Sequence, residues 1–434
     1  MSPLIAAAAE VDSGDTAWML AATALVLLMT PALGLFYAGL VRSKNTLNTF
    51  MMCVGAIAVA TVTWALVGYS LAFDGDGKIL GGLGYAFLNG VGFEPRDGTT
   101  IPHLVFFAFQ ATFCIITTAL VSGAVVERMR FGAFLIFAAV WSVVVYAVMA
   151  HWAFGGGWLA AQGTLDFAGG VPVEMGSGFS ALAAALVVGA RKDYGRQAVL
   201  PHNTVYCLLG AGLLWFGWFG FNGGSGFNTG TNSALAFTNT LLTPACTLLT
   251  WFILDLMRSR QITAVGAATA IIVGCVGITP AGGFISPIWA MVLGVVVTLP
   301  CYFVVAWRPR TRVDETLDVL AAHGVAGFSG IIIIGLVAQQ KWNGIADGLF
   351  YGDAGQFWSQ IVAALAAPVY AFVMTYALLR LMGALMPLRG SAHDEAIGMD
   401  IIHHGEEAYA SGEGAILIRA ETPAEDGARV PEPV

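Results

Sequence analysis

Charge is what this chain has least of. Asp, Glu, Lys and Arg make up 11% of its 434 residues, against about 25% in ordinary soluble domains, and that shortage excludes a water-soluble globular fold. Disorder is excluded with it: a disordered chain needs low hydrophobicity and high charge, whereas 57% of these residues are hydrophobic and the mean hydropathy is +0.77. Lys and Arg number 19 against 27 Asp and Glu, for a net charge of −8, so there is no electrostatic footprint for nucleic acid. Cysteine is scarce as well. Cys53, Cys114, Cys207, Cys246, Cys275 and Cys301 each lie in an apolar run without CxxC spacing, and they read as small buried hydrophobes with no metal or redox role. No cofactor is expected. No HExxH, GxSxG or P-loop pattern occurs, so nothing points to an enzyme. Residues 1–16 lack a basic n-region, and Leu4 to Ala9 is too short for the apolar core of a signal peptide. A short extracytoplasmic tail fits them better.

Long apolar runs are what the chain has in place of charge. A spanning helix takes about 20 mostly apolar residues, and such runs recur at roughly 17–40, 48–73, 102–126, 132–155, 171–190, 202–222, 233–256, 263–279, 283–307, 318–340 and 356–386. They predict an all-α polytopic membrane protein with about eleven transmembrane helices, the eighth of them short. Alternate connections hold Arg42, Lys44, Arg128, Arg130, Arg191, Lys192, Arg196, Arg258, Arg260, Arg308, Arg310 and Arg312, with Arg389 just past the last run; the other connections hold only Lys78, Arg96 and Lys341. By the positive-inside rule the first set is cytoplasmic, which sets the N-terminus outside, the C-terminus inside, and the chain as a multi-pass protein of the cell (plasma or inner) membrane. The expected layout is a tail at 1–16, a membrane domain at 17–388 and a cytoplasmic tail at 389–434, whose last stretch, ETPAEDGARVPEPV, reads as disordered.

An odd count near eleven suggests two inverted five-helix repeats plus a final helix, an arrangement that sets unusual polar positions at matching places in each half. The fifth and tenth runs open alike, Asp166 preceding Glu174 and Asp318 preceding His323, though at spacings of eight and five residues. An ionisable side chain within a bilayer costs at least ~2.5–3.5 kcal/mol on insertion scales and is a functional candidate by default. Glu174 and His323 are the strongest here; an interfacial carboxylate and a satisfied interhelical histidine are the plainer alternatives. Straight helices set the two at different depths, since Glu174 lies about 25 Å from Arg191 and His323 about 16 Å from Arg312 at 1.5 Å per residue. They meet if the segment LDFAGGVP dips into the membrane, for which Gly169, Gly170 and Pro172 are suited.

The aromatic residues form a second group. Phe109 and Phe113 stand four apart in the third run, and Trp218 and Phe221 three apart at the end of the sixth, followed by Asn222, Gly223, Gly224 and the hydroxyl of Ser225. Pairs at helical spacing share a face. Plain packing explains most such pairs, but ring faces also attract ammonium-type ions by about 0.5–2 kcal/mol. From residues alone the chain reads as a transporter or channel with a narrow apolar path.

Several segments carry a family resemblance: LMTPALGLFYAGLVRSKN at 28–45, AFQATF at 108–113, LDFAGGVPVEMGSG at 165–178, GWFGFNGGS at 217–225, ITPAGGFISP at 278–287, HGVAGFSG at 323–330 and MDIIHHGEEAY at 399–409. In this order, from about residue 15 to 410, the chain resembles the ammonium transporter (Amt/Mep/Rh) family. The resemblance implies a homotrimer with one pore per subunit and no enzymatic activity, carrying ammonium, ammonia or methylammonium. Carried over by motif, an outer recruitment site uses Phe109, Phe113, Trp218, Ser225 and the aromatic at 154. Phe113 and Phe221 form a gate beneath it, and Asp166 holds the outer site together, with Asp318 as its pseudo-symmetric counterpart. Glu174 and His323 pass the proton. Gly398, Asp400, His404, Gly405 and Tyr409 fit the family's tail, which contacts a PII signalling protein in some members.

Two residues depart from the pattern. Phe154 stands where most members have tryptophan, which keeps a π face but loses the indole N–H, and Trp152 is its substitute if the helix rotates. Glu174 stands where most have the first of two histidines, as in some fungal members. Electrogenic ammonium uptake is the leading reading; an ammonium sensor with little transport and an electroneutral NH3 channel are the alternatives.

Overall fold

Apolar runs of this length satisfy their backbone in a membrane only as helices, and helices are what form. The computed structural model describes residues 10–196 and 200–409. In chain order its spans are α1 (Ser13–Leu40), α2 (Ser43–Phe73), α3 (His103–Ser122), α4 (Phe131–Ala161), α5 (Gly170–Val188), α6 (Thr204–Gly224), α7 (Thr231–Ser259), the shorter α8 (Ala264–Ile278), α9 (Pro287–Arg310), α10 (Leu320–Val337) and α11 (Ala354–Leu385). Ten of these, all but α8, are long and apolar enough to cross a membrane among the described residues. The chain is a nearly all-helical, multi-pass membrane protein, and the ends lie within a few residues of the apolar runs. Most of the expected N-terminal tail, and the expected disordered end beyond residue 409, lie outside the described residues.

The short α8 ends because Pro280 follows and cannot donate into a continuing helix. The irregular stretch after it stays buried, which is tolerated only where protein groups meet its backbone. Asn239 of α7 donates to the carbonyls of Gly282 (2.8 Å) and Ile285 (3.0 Å), and the Phe167 N–H donates to that of Pro280 (2.9 Å).

The two halves match in detail at α5 and α10. Both helices open with a π-helical turn, Gly170–Met175 and Leu320–Val325. Each is entered through a left-handed residue, Gly169 at φ +116° and Asp318 at φ +58°. They cross at glycines: a Cβ at Gly178 would lie 2.1 Å from the Gly324 nitrogen, and one at Gly327 would lie 2.5 Å from the Glu174 Cβ. Small residues let membrane helices approach at backbone distance, and here they bring the two π-helical turns into contact.

Two further short helices, α12 (Ala392–Ile397) and α13 (Met399–His404), fold back onto the basic end of the bundle. The Asp400 carboxylate accepts from the N–H groups of Leu47 (3.0 Å) and Asn48 (2.7 Å). Lys44 donates to the carbonyls of Glu395 (2.8 Å) and Ala396 (2.6 Å).

Candidate functional site

Glu174 and His323 come from the two π-helical turns, one from each half. His323 Nδ1 and Glu174 Oε2 stand 2.8 Å apart, and both residues are buried. The other carboxylate oxygen, Oε1, has no hydrogen-bond partner among the described residues. The depth conflict posed by straight helices is resolved at the entry to α10. Arg191 and Asp314 share one level, paired at 2.8 Å, yet Glu174 precedes the first by 17 residues and His323 follows the second by only nine. Residues 311–318 are not helical, so they can climb at up to about 3.3 Å per residue instead of 1.5 Å.

Both residues line a duct that is otherwise apolar, with Ile116, Val173, Trp218 and Phe221 among its walls. Its free volume is ≈ 10 Å³, about what one water requires. The rings of Phe113 and Phe221 stack across one end, with centroids 4.1 Å apart and planes at 26°. Beyond them opens a vestibule of ≈ 1110 Å³, whose lining includes Phe113, Phe154, Asp166, Ser225 and Phe227. At the opposite end a second cavity of ≈ 190 Å³ has His323 in its wall together with Arg308 and Asp318. His323 thus borders both duct and inner cavity.

The aromatic residues divide between these compartments. Phe109 is buried behind Phe113, centroids 4.9 Å apart. Trp218 lies below the ring pair, in the duct wall, and its indole N–H donates to the Thr279 hydroxyl (2.9 Å). Ser225 lines the vestibule and donates its proton to the Phe221 carbonyl (2.8 Å). Its oxygen therefore keeps acceptor capacity, the polarity that a donor-only ion needs. Phe154 faces the vestibule, whereas Trp152 is turned away: its indole donates to the Ile79 carbonyl (2.9 Å), and its ring packs on Trp158 and Tyr370. The helix rotation that would let Trp152 replace the missing indole does not occur.

Asp166 accepts from the N–H groups of Gly169 (3.0 Å), Gly170 (2.7 Å) and Val171 (2.7 Å), so it caps the start of α5 while bordering the vestibule. Its counterpart in the second half is not Asp318. Glu315 accepts from Val319 (3.0 Å) and Leu320 (3.2 Å) at the start of α10, and it precedes His323 by the same eight residues that separate Asp166 from Glu174. Asp318 instead occupies the left-handed position that corresponds to Gly169 and pairs with Arg308.

Sequence reasoning missed Phe227, which lines the vestibule and packs edge-on against Phe109 (5.7 Å) from a left-handed position at φ +55°. No periodicity marks a residue carried in a turn. It also missed Glu315, although an eight-residue rule applied to both halves finds it.

The sequence pattern of the Ammonium Transporter Family matches residues 17–409. The chain is 44% identical over 399 residues to an ammonium transporter of Bacillus subtilis, covering 91% of this chain and 98% of that protein. Among solved structures it superposes on Mep2 of Candida albicans with a TM-score of 0.84 at 34% identity, covering 89% of this chain and 88% of that one. It also superposes on a protein described as a sensor Amt protein, with a TM-score of 0.83 at 25% identity and 90% and 98% coverage.

Proposed function

This chain belongs to the Ammonium Transporter Family, and from that premise we propose that it takes up ammonium by separating NH4+ into NH3 and a proton. In this reading NH4+ is collected in the vestibule by the faces of Phe154 and Phe113 and the acceptor oxygen of Ser225, with Asp166 holding the floor. An ion that must shed its water does not pass a stacked phenyl pair and an apolar duct, because an unpaired charge in such surroundings is far too costly. Neutral ammonia passes, and the proton moves separately through Glu174 and His323. The observation that carries this reading is the 2.8 Å contact between a carboxylate and an imidazole in a duct with room for about one water. A proton received at one of the two groups can leave from the other into the inner cavity, which His323 borders.

The same proposal orients the basic end to the cytoplasm in the cell membrane and assembles the chain as a homotrimer. The tail, held to the basic end through Lys44 and Asp400, is then within reach of a soluble PII-type protein.

The test is Glu174→Gln, which keeps a polar side chain of the same size but cannot ionise. In proteoliposomes given an ammonium gradient, the wild type carries inward current, and the variant carries at least about a hundredfold less, the lower end of the scale for a lost acid–base group. Unchanged current in the variant overturns the proton path. Ammonium flux without current in the wild type selects the electroneutral channel. Ammonium binding without flux selects a sensor, the reading favoured by the likeness to the sensor Amt protein.

A further inference from the structure

The inner cavity holds two charged residues that the steps above do not use. It measures ≈ 190 Å³, room for several waters. His323 stands in its wall, and so do Arg308 and Asp318. Arg308 Nε and Asp318 Oδ1 are 2.5 Å apart, with the side chains only 13% and 25% exposed. Asp318 holds its backbone at φ +58° where the first half of the repeat has a glycine. Aspartate tolerates that region better than most residues other than glycine, and from it the carboxylate meets Arg308 in the cavity wall. The two mouths differ in balance. The vestibule wall holds Asp12, Asp15, Asp97 and Asp166 against Arg96 and Lys341, an excess of acid, whereas the inner cavity pairs one acid with one base.

We propose that Arg308 and Asp318 form an electrostatic latch on the basic-end mouth of the duct. The guanidinium masks the carboxylate, so that mouth collects little ammonium from its own side, while ammonia and a proton leave past a neutral pair. This rests on the transport reading above. A bare carboxylate in a cavity with low-dielectric walls raises the local arrival rate of cations by about 10- to 1000-fold in strong cases, and a bare guanidinium lowers it. Removing the two partners singly must therefore act in opposite senses, and only on entry from the basic end.

The experiment uses right-side-out and everted membrane vesicles with equal ammonium gradients. Arg308→Gln is expected to raise current entering from the basic end by about 3- to 10-fold, below the strong cases because one charge is unmasked, and to leave current entering from the vestibule within about twofold. Asp318→Asn is expected to lower basic-end entry by a similar factor, and the double variant to return towards the wild type. The excess in Arg308→Gln should shrink by about half or more when choline chloride is raised from about 10 to 150 mM, because the Debye length falls from about 30 Å to 8 Å. Arg308→Lys keeps the charge and should stay near the wild type. Equal changes in both directions, changes of the same sense in both single variants, or Arg308→Lys behaving as Arg308→Gln overturns the latch alone. A wild type without current in either direction overturns the transport reading and the latch with it.

Discussion

At the scale of single residues, Phe154 isolates one contribution to the proposed recruitment of ammonium. It lines the vestibule beside Ser225 and Asp166, and Trp152 is committed elsewhere by its hydrogen bond to Ile79. Indole is the strongest aromatic partner for a cation. Restoring it through Phe154→Trp should gain about 0.5–1 kcal/mol, or a fall of about two- to fivefold in the ammonium concentration giving half-maximal current. Maximal current should change little, because the proposed proton path through Glu174 and His323 is untouched. Half-saturation that stays fixed would mean that recruitment rests on the oxygen acceptors and not on the rings. Two of the candidate residues were legible in the sequence for a simple reason: Glu174 and His323 are ionisable groups in long apolar runs. Glu315 was hidden in the charged stretch from Arg308 to Asp318, where an acid looks like a solvated loop residue. It is in fact fully buried, with both carboxylate oxygens on the backbone of α10.

At the scale of elements, the Glu174–His323 contact depends on how closely α5 and α10 cross. The crossing has backbone against backbone at Gly178 and Gly324, and backbone against the Glu174 stem at Gly327. Gly178→Ala would put a methyl group 2.1 Å from the Gly324 nitrogen, and neither chain has a flexible side chain there to move aside. Overpacking of this kind costs about 1–3 kcal/mol, and the relief available is to separate the helices, which lengthens the Glu174–His323 contact. The variant should therefore melt earlier in detergent and lose current in excess of its loss of folded protein, measured per correctly assembled molecule. Current per folded molecule equal to wild type would show that the crossing supports stability only. Span positions were readable because about 20 apolar residues suffice to mark a helix. Their relative depth was not, because counting at 1.5 Å per residue assumed helix where residues 311–318 run irregularly. Phe227 and Arg308 reach their sites through turns and tertiary folding, which no hydrophobic period encodes.

At the scale of the whole molecule, the basic end is tied together by one buried network. Glu127 Oε1 accepts from the backbone and guanidinium of Arg42 and from Asn45, each at 3.0 Å, and Oε2 accepts from Arg191 at 2.6 Å. The Arg191 guanidinium also grips Asp314 through two bonds, 2.9 and 2.8 Å long, and its backbone N–H adds a third at 2.8 Å. Apart from Asn45 at the start of α2, those residues lie in the connections α1–α2, α3–α4, α5–α6 and α9–α10, so the network joins both halves of the repeat on the side where the inner cavity opens. Burial pushes the Glu127 carboxyl up, Arg191 and Arg42 pull it down by more, and the balance holds it at about 2 against an ordinary value of 4.5. A carboxyl depressed by folding contributes stability above its unfolded value and loses it as pH falls towards its folded one. The thermal midpoint of the purified protein should thus show little Glu127-dependent change between about pH 8 and 5 and fall below about 4.5. Glu127→Gln leaves Arg42 and Arg191 short of a buried partner and should cost about 3–5 kcal/mol at pH 7. Asp314, which burial raises and Arg191 lowers by more, keeps part of the acid limb in that variant. The two melting curves should therefore draw together as pH drops from 5 to about 3. A constant separation over that interval would mean that Glu127 acts through its shape alone and that its charge does not hold the two halves together.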